Sequence, residues 1–400
     1  MADYLPAIAW LARADLAELV AALGQRLGHA SDGANARYVG GAVRDTLLGH
    51  AVKDIDMATV LEPVDVIARL KAAGIRCVPT GIAHGTITAI LDGGPVEITT
   101  LRHDVTTDGR RATVNFATDW REDAARRDFT INALYADPQT REIWDYFGGL
   151  DDLALRHVRF IGDAKQRIRE DHLRILRYFR FQARFGMQPA DSEAEHACAE
   201  LAATLKGLSR ERIGMELLNL LGLPNPAPTV ARMAQLGVLP VILPEADPAA
   251  LANLVALEQT RAIAPDPLRR LAALLPADVA LAEQVAARFR LSGAQKKRLA
   301  RAAARTSLEQ NPRALAYRLG LDSAIDRLLL TGNDGAALEN WEIPRFPIKG
   351  GAIVAKGVQA GPIVAEILQK AENLWISEGF PDAARVDALV DELIAQQAAR

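Results

Sequence analysis

The stretch YVGGAVRDTLLGHAVKDIDMAT, Tyr38–Thr59, contains a double glycine, an arginine and two aspartates that are separated by one residue. The alternation in VKDIDMA predicts a strand, in which a period of two puts Asp54 and Asp56 on one face. Two carboxylates at this spacing repel each other unless a cation lies between them. Hard oxygen ligands suit Mg²⁺, which takes its other ligands from water and substrate phosphates. The pair therefore predicts a magnesium site for a phosphate-bearing substrate.

The double glycine Gly40-Gly41 predicts a turn at which the backbone comes close to a ligand. A short helix, Ala42–Leu48, is expected to follow and to end at Gly49. Backbone N–H groups at the start of such a helix would face a triphosphate, and Arg44 would add a charged contact. A D-x-D pair alone is usually surface charge, and the chain has neither a G-x-G-x-x-G fingerprint nor a P-loop. The combination, in the order strand, turn, helix and strand, predicts a nucleoside-triphosphate site.

The composition is that of a globular protein. The chain has 400 residues, half of them hydrophobic, which suits a few domains of about 100–200 residues each. No apolar run approaches the ~18 residues of a membrane helix, and Asp3 and Asp15 lie where a secretory signal carries positive charge. Cys77 and Cys198 form no metal-ligand spacing, so we expect core residues rather than a disulfide or a zinc site. These features predict a cytoplasmic enzyme with no membrane partner.

The charge is unevenly distributed along a chain whose formal net charge is −3. Residues 165–184 contain seven lysines or arginines and two acids, and residues 286–305 contain seven and none. Two local basic surfaces on a nearly neutral chain favour recognition of a shaped polyanion over nonspecific coating of nucleic acid. The alternative for each stretch is an ordinary solvated helix face.

Periodicity predicts two kinds of structure in sequence. Residues 1–30 have a helical pattern, and VKDIDMATV, HGTITAIL and PVEITTLR have the β-branched residues and alternation of strands. Glu97, in PVEITTLR, is a candidate third carboxylate beside Asp54 and Asp56 if its strand is adjacent; the alternative is a charged residue at the end of a half-buried strand. After about residue 160 the period becomes 3.6. We therefore expect an α/β head followed by an all-helical remainder.

The opening motif, GGAVRDTLLG followed by KDIDMAT, resembles the signature of the class II tRNA nucleotidyltransferases, the CCA-adding enzymes, and of the related bacterial poly(A) polymerases. The segment TLRHDVTTDGRRATVNFATDW, Thr100–Trp120, resembles the flexible loop of mitochondrial and alphaproteobacterial members. Three further segments are similar to later motifs of the family, in the family's order: ARRDFTINALYAD (Ala125–Asp137), REDHLRILRYFRFQARFG (Arg169–Gly186) and LSRERIGMEL (Leu208–Leu217).

The resemblance implies an α+β fold with a polymerase-β-like nucleotidyltransferase head and helical neck, body and tail. The implied boundaries are 1–150 for the head, 151–220 for the neck, 221–290 for the body and 291–400 for a tRNA-binding tail. The implied activity is addition of C, C and A to the 3′ end of tRNA from CTP and ATP, with release of pyrophosphate and without a nucleic-acid template. Asp54 and Asp56, with Glu97 as the third catalytic candidate, would hold Mg²⁺ for a two-metal mechanism.

A protein that selects bases without a template needs side chains that distinguish them. Cytosine and adenine share an exocyclic amino donor beside a ring-nitrogen acceptor, whereas uracil and guanine present a carbonyl oxygen there. Asp171 and Arg174, three residues apart on an expected helix, would face this edge together. Arg177 and Arg180 continue the same helix, although each three-residue step rotates about 60°, so that Arg180 should point away from Asp171. The alternative is an ordinary charged helix face.

The resemblance implies nucleotide-binding roles for a further set of residues in the head. Arg126 or Arg127 would contact phosphate, and Asp128 or Asn132 would lie near the ribose. The alternative is a helix start, for which Asp128 and Thr130 are both plausible caps. The full nucleotide-binding set predicted is Gly40, Gly41, Arg44, Arg126, Arg127, Asp128, Asn132, Asp171, Arg174, Arg177 and Arg180. At the end of the body and the start of the tail, the residues expected to contact phosphates of the tRNA acceptor stem or elbow are Arg288, Lys296, Lys297 and Arg298.

Several other functions are weighed against CCA addition. Poly(A) polymerases tend to carry a strongly basic C-terminal extension, whereas this chain ends in the mixed-charge RVDALVDELIAQQAAR. A CC-adding or A-adding specialist of the same family remains an alternative. A His-Asp phosphohydrolase is suggested only by His103-Asp104, which has no second histidine cluster in the sequence. An RNA-binding relative without activity would have lost the Asp54 and Asp56 pair, which is intact here.

Overall fold

The structure, a computed structural model, describes residues 4–24, 34–107, 112–305 and 311–398. The chain divides into two compact units, Met1–Pro244 and Glu245–Arg400. The side chains of residues 103–115 lie outside the described part, and with them those of the His103-Asp104 dipeptide. The predicted division into head, neck, body and tail is finer than these two units and stays a prediction.

The first unit contains the strands that the structure describes. They are β1 (Ala36–Val39), β2 (Ile55–Thr59), β3 (Cys77–Gly81), β4 (Thr86–Leu91), β5 (Gly94–Thr100), β6 (Arg102–Thr107), β7 (Ala112–Phe116), β8 (Leu134–Ala136) and β9 (Ile143–Asp145). Seven of them form a mixed sheet in the order β3-β4-β5-β2-β1-β8-β9, and β6 pairs with β7 in a separate ribbon. Only β2 and β5 are parallel within this sheet.

The helices surround and follow this sheet. Those of the first unit are α1 (Ala14–Leu23), α2 (Gly41–Leu47), α3 (Pro63–Ala72), α4 (Trp120–Ala125), α5 (Gly149–Ala154), α6 (Ala164–Glu170), α7 (Arg174–Phe185), α8 (Ser192–Glu200), α9 (Arg210–Leu221), α10 (Ala227–Gln235) and α11 (Leu239–Ile242). Short 3₁₀ helices are Ala9–Ala12, Ile82–His84, Thr130–Asn132 and Ala202–Gly207.

All regular elements that the structure describes in the second unit are helices. Its helices are α12 (Pro248–Thr260), α13 (Pro267–Leu274), α14 (Val279–Arg288), α15 (Gly293–Ala303), α16 (Pro312–Leu319), α17 (Leu321–Leu330), α18 (Gly350–Ala355), α19 (Pro362–Ser377) and α20 (Ala383–Ala398), with a 3₁₀ helix at Ala336–Leu338. The predicted change from an α/β head to a helical remainder is therefore confirmed. No helix within the four described ranges is long and apolar enough to cross a membrane.

The segment that decides the fold forms the expected strand, turn, helix and strand. The helix α2 begins at Gly41, one residue earlier than predicted, and Gly49 follows its last turn with φ +67°. The strand β2 begins at Ile55, so Asp54 precedes it. Ile55 and Met57 are buried while Asp56 is half-buried, as the predicted alternation requires, but the prediction that Asp54 lies within the strand is wrong. Strand β2 lies between β1 and β5; Ile55 and Asp56 pair with β5 alone, whereas residues 57–59 pair with both strands.

Three smaller predictions have different outcomes. Cys198 is buried as expected, but the prediction that Cys77 is a core residue is wrong, because β3 is an edge strand and leaves Cys77 half-buried. The helical prediction for residues 1–30 holds for Ala9–Leu23, which contains a 3₁₀ helix and α1, while residues 25–33 lie outside the described part. The segment that resembles a flexible loop forms the β6–β7 ribbon, with residues 108–111 outside the described part.

Candidate active site

A polar cavity of about 430 Å³ lies where the glycine turn, β2 and the 3₁₀ helix of the head meet α7 and α9. Its lining is formed by Gly40, Gly41, Arg44, Asp56, Arg126, Arg127, Asp128, Asn132, Asp171, Leu173, Arg174, Arg177, Phe181 and Arg212. The structure thus brings together ten of the eleven predicted nucleotide-binding residues; the exception is Arg180. A second cavity, of about 770 Å³, shares five lining residues with the first one and is also lined by Glu97, His84 and Arg102.

The glycine turn needs its glycine at the first position. Gly40 has φ +68°, in the left-handed region that residues with a Cβ rarely adopt, and it precedes the first residue of α2. Its N–H donates to the carbonyl of Leu134, which ties the turn to β8. A Cβ at Gly40 would lie 3.6 Å from Nη1 of Arg127 and from the carbonyl oxygen of Asn132. Gly40 and Gly41 therefore contribute only backbone atoms to the wall of the cavity.

Arg44 is a buried cation in that wall. Its guanidinium donates to Asp45 at 2.8 Å and also to Oδ1 of Asn132. Its Cζ lies 4.2 Å from the ring centroid of Phe185. Burial lowers the pKa of Arg44, and the charge of Asp45 only partly offsets this. The side chain is thus held by the protein from three sides while remaining part of the cavity lining.

Two of the candidate carboxylates lie opposite each other on neighbouring parallel strands. Asp56 of β2 is in register with Glu97 of β5, which confirms the predicted position of Glu97 beside Asp56. Burial raises the pKa of Asp56 to about 6, and the negative charges of Glu97 and Asp54 add to the effect. Asp54 is exposed and does not line either cavity. In the part of the chain that the structure describes, no three His, Cys, Asp or Glu side chains converge closely enough to hold a metal ion.

The donors that are present nevertheless fit Mg²⁺ by their chemistry. Asp54, Asp56 and Glu97 offer hard carboxylate oxygens, the ligand type that this ion prefers. The pKa of Asp56 is raised first by burial and then by the charges of Glu97 and Asp54, and a bound cation would oppose both effects. The three residues are therefore retained as candidate ligands, and their roles stay predictions.

Arg126 and Arg127 are held by one buried acid that the sequence did not single out. Asp123, whose side chain is 1% exposed, accepts from Nε of Arg126 at 2.8 Å and from Nη2 of Arg127 at 3.1 Å. The hydroxyl of Tyr135 donates to the same carboxylate at 2.7 Å. Burial opposes the charge of Asp123, but the two guanidinium groups outweigh it and hold its pKa at about 2. A single carboxylate thus orients both cations at the cavity.

Asp128 connects the head to α7. Its Oδ2 accepts from Nε of Arg177 at 2.8 Å, and its Oδ1 accepts from Nδ2 of Asn132 at 2.9 Å. Burial opposes the charge of Asp128, but Arg177 and Asn132 outweigh it and lower its pKa. The 3₁₀ helix Thr130–Asn132 is preceded by Phe129 and has no side-chain cap, so the alternative in which Asp128 caps a helix is wrong.

Asp171 and Arg174 do not lie on one helix, which corrects the sequence prediction. Helix α6 ends at Glu170 and α7 begins at Arg174, and Asp171 between them has an extended backbone with φ −149° and ψ 105°. The cause is local, because Oδ1 of Asp171 accepts the N–H of Leu173 at 3.1 Å and so offers the backbone an alternative to the helix. Both side chains still line the cavity, Asp171 from the link between the two helices and Arg174 from the first residue of α7.

Arg174 and Arg180 of helix α7 differ in position relative to the cavity. Arg174 donates to Glu170 at 2.7 Å and to the carbonyl of Arg126 at 2.8 Å, so its guanidinium is fixed against the head. Arg180 donates to Oε2 of Glu216 at 2.6 Å and lies outside the lining of both cavities. The expected rotation of Arg180 away from Asp171 agrees with this placement, and its nucleotide-binding role stays a prediction.

Sequence reasoning missed Arg212, Phe181 and Leu173, which also line the cavity. Arg212 and Phe181 both fall within quoted motifs, LSRERIGMEL and REDHLRILRYFRFQARFG, but no pattern in either motif marks them as cavity residues. Their position depends on how α9 packs beside α7, which is a tertiary property. The one sequence signal that could have suggested Arg212 and Phe181 is that both lie within these motifs.

Comparison with known proteins identifies the family. Residues 36–159 match the family model described as Poly A polymerase head domain, and residues 190–250 match the one described as Probable RNA and SrmB- binding site of polymerase A. Over 368 residues the chain is 36% identical to CCA tRNA nucleotidyltransferase 1, mitochondrial, of Mus musculus, covering 86% of this chain and 83% of that protein. The chain belongs to the CCA tRNA nucleotidyltransferase family. It is therefore a nucleotidyltransferase.

Solved structures of CCA-adding enzymes share the fold. The Bacillus stearothermophilus CCA-adding enzyme in complex with CTP has a TM-score of 0.71 at 24% identity, covering 97% of this chain and 100% of that one. The Thermotoga maritima CCA-adding enzyme complexed with tRNA has a TM-score of 0.65 at 23% identity, covering 90% and 91%. At these identities the likeness concerns the fold, an α+β polymerase head followed by helices.

The predicted RNA-binding residues of the second unit fall into two groups. Arg288 and Arg298 form internal ion pairs: Arg288 with Glu245 at 2.6 Å, and Arg298 with the fully buried Asp326 at 2.7 Å. Lys296 and Lys297 of α15 are exposed. Lys296 has a weak contact of 3.8 Å with Glu283.

Proposed function

We propose that the chain adds C, C and A to the 3′ end of tRNA without a nucleic-acid template, using CTP and ATP and releasing pyrophosphate. The observation that carries this proposal is the 430 Å³ cavity, in which the glycine turn and Asp56 of the head meet Asp171 and Arg174 of the helical segment. The names of the mouse and bacterial relatives support it, since they denote CCA addition and complexes with CTP and with tRNA.

The triphosphate is proposed to bind at the glycine turn and the cations beside it. Arg126 and Arg127 are held by Asp123, so their guanidinium groups meet an incoming phosphate without first being ordered. This preorganisation reduces the entropy that binding would otherwise cost. Asn132 and Asp128 form the adjacent polar wall and are the candidates for contact with the ribose.

Asp54 and Asp56 are proposed to hold Mg²⁺, with Glu97 as the third candidate. When bound, Mg²⁺ supplies a Lewis acid that neutralises the triphosphate and lowers the pKa of the tRNA 3′-hydroxyl. Asp56 is suited to this role because it lies in both cavities, whereas Glu97 lies only in the larger one. We propose that the larger cavity takes the acceptor end, so that the reacting hydroxyl approaches the α-phosphorus beside Asp56.

Base selection is proposed to rest on Asp171 and Arg174. The carboxylate would accept from the exocyclic amino group of cytosine or adenine, and the guanidinium would donate to the adjoining ring nitrogen. Arg174 has five N–H groups, and its contacts with Glu170 and with two backbone carbonyls fix its plane. Uracil and guanine would place a carbonyl against a carboxylate, an unpaired contact that costs about 1–3 kcal/mol.

The remaining parts of the proposal concern the tRNA and the compartment. Lys296 and Lys297 are the proposed contacts with phosphates of the acceptor stem or elbow, because they are exposed and basic. Arg288 and Arg298 are weaker candidates for this contact because of their internal ion pairs. The cytoplasmic location stays part of the proposal, since the mouse relative is named as mitochondrial.

The test is incubation of the purified chain with tRNA that lacks CCA, that ends in C and that ends in CC, with each nucleotide offered singly and in pairs. CCA addition predicts C on the first two substrates, A only on the third, and a full CCA end from CTP and ATP together. Addition that stops after CC, or that starts only from CC, would identify a specialist. A long A tail would identify a poly(A) polymerase.

A further inference from the structure

The carboxylate of Asp171 is held at both oxygens. Its Oδ1 accepts the N–H of Leu173 at 3.1 Å, and its Oδ2 forms an ion pair with Nη2 of Arg212 at 2.7 Å. Arg212 lies in the first turn of α9, and like Asp171 it lines both cavities. The contact therefore joins the link between α6 and α7 to a different helix, at the place where the two cavities meet.

The contact with Arg212 matters because the backbone N–H of Leu173 holds only one oxygen of the Asp171 side chain. Asp171 lies on an extended link, outside both helices, and its side chain is 35% exposed. A carboxylate that is held at one oxygen can rotate about its Cβ–Cγ bond, whereas contacts at both oxygens keep it in one orientation. Each oxygen has two lone pairs, so a single bond to Arg212 leaves Oδ2 able to accept a further donor from the cavity. Arg212 thus orients the acceptor without occupying it.

We propose that Arg212 is a positioning residue for base selection, which holds the carboxylate of Asp171 so that it accepts the amino group of cytosine or adenine. The inference rests on the proposed function, in which Asp171 faces the base. Arg212 acts through Asp171 and not on the triphosphate. Removal of the Arg212 side chain therefore affects the binding and selection of the nucleotide more than the rate at which the bound nucleotide is transferred.

The experiment measures kcat and KM for CTP and UTP on tRNA lacking CCA, and for ATP and GTP on tRNA ending in CC. Arg212→Ala should raise KM for CTP and ATP about tenfold, reduce the preference over UTP and GTP about tenfold, and change kcat only a few-fold. Arg212→Lys, which keeps a donor and the charge, should recover part of the preference. Arg210→Ala is the matched control, since Arg210 lies on the same turn of α9 outside the lining of both cavities.

A double-mutant cycle decides whether Arg212 acts through Asp171. The Asp171→Ala, Arg212→Ala double variant should have the selectivity of Asp171→Ala alone, because nothing remains to be positioned. Additive losses of selectivity, or equal losses with all four nucleotides, would overturn the inference and leave the proposed function intact. A wild-type chain without preference for CTP and ATP would overturn both. Thermal midpoints close to wild type are expected for each variant, since Arg212 is half exposed.

Discussion

Residues 165–184 of the first unit and 286–305 of the second each contain seven lysines or arginines, and their charged residues have different surroundings. In the first stretch Arg174 and Arg177 line a cavity together with residues of the head. In the second, Arg298 pairs with the buried Asp326, and Arg301 donates to the carbonyl of Leu319. Similar charge in the sequence thus corresponds to a candidate ligand site in one region and to internal packing in the other.

The partner of a cation matters more for its environment than the number of cations in the stretch. A guanidinium that is paired with a buried acid and lines no cavity contributes little field to solvent. In the second unit, Arg269 and Arg270 share the buried acid Glu258, and Arg269 also contacts Asp326, to which Arg298 is bound. Charge counted along the sequence overstates the basic surface of such a region.

The largest expected effect is in the first region. Asp56→Ala should reduce nucleotide incorporation by several powers of ten, because it removes the carboxylate that lies in both cavities. Binding of tRNA, measured by filter retention without nucleotide, should change little. Asp54→Ala is the companion variant, and full activity in either one would exclude that residue as a ligand of Mg²⁺.

A smaller effect is expected for base selection. Asp171→Ala should lower the efficiency with CTP and ATP and increase relative use of UTP and GTP, shifting the ratio by about one to two powers of ten for a contact worth about 1–3 kcal/mol. The variant loses both the attraction for the amino group and the repulsion of the carbonyl. Ratios of kcat/KM for the four nucleotides measure the shift. An equal loss with all four would assign Asp171 to holding the link between α6 and α7.

The sequence was sufficient for local features and insufficient for long-range partners. The order of strand, turn, helix and strand around Gly40 follows from glycine conformation and from a period of two, which are local properties. The position of Glu97 followed from the expectation of an adjacent strand, and the parallel register with Asp56 confirms it. Within the site, Asp123 could not be predicted, because its importance comes from two arginines and a tyrosine that the fold brings to it.

One wrong prediction and one difference within a predicted set have physical causes of the same kind. The helix expected through Asp171 is interrupted because the aspartate side chain accepts a nearby backbone N–H, a competition that periodicity does not register. Arg298 was grouped with its neighbours Lys296 and Lys297, but the three side chains project from different sides of α15. One of those sides faces the buried Asp326. Neighbours in sequence have different environments when the helix is packed on one side only.

The third prediction tests the packing of the second unit. Arg298→Ala should lower the free energy of unfolding by about 1–3 kcal/mol, because it removes a partner of a fully buried carboxylate. The loss is moderate because Arg269 still contacts Asp326 at 3.1 Å. The midpoint of urea unfolding of the whole chain measures it. A variant with wild-type stability but a weaker salt dependence of tRNA binding would show that Arg298 contacts phosphate after all.

The smallest expected effect concerns the exposed side of the same helix. Lys297→Ala should change the slope of log Kd for tRNA against log salt by about one unit or slightly less, since one phosphate contact releases about one counterion. Its stability should equal that of wild type, because Lys297 is exposed. Lys297→Arg keeps the charge and should keep the slope, which separates a phosphate contact from a general effect of substitution. If both variants have the wild-type slope, α15 is a solvated face, and the second basic stretch has no role in tRNA binding through this residue.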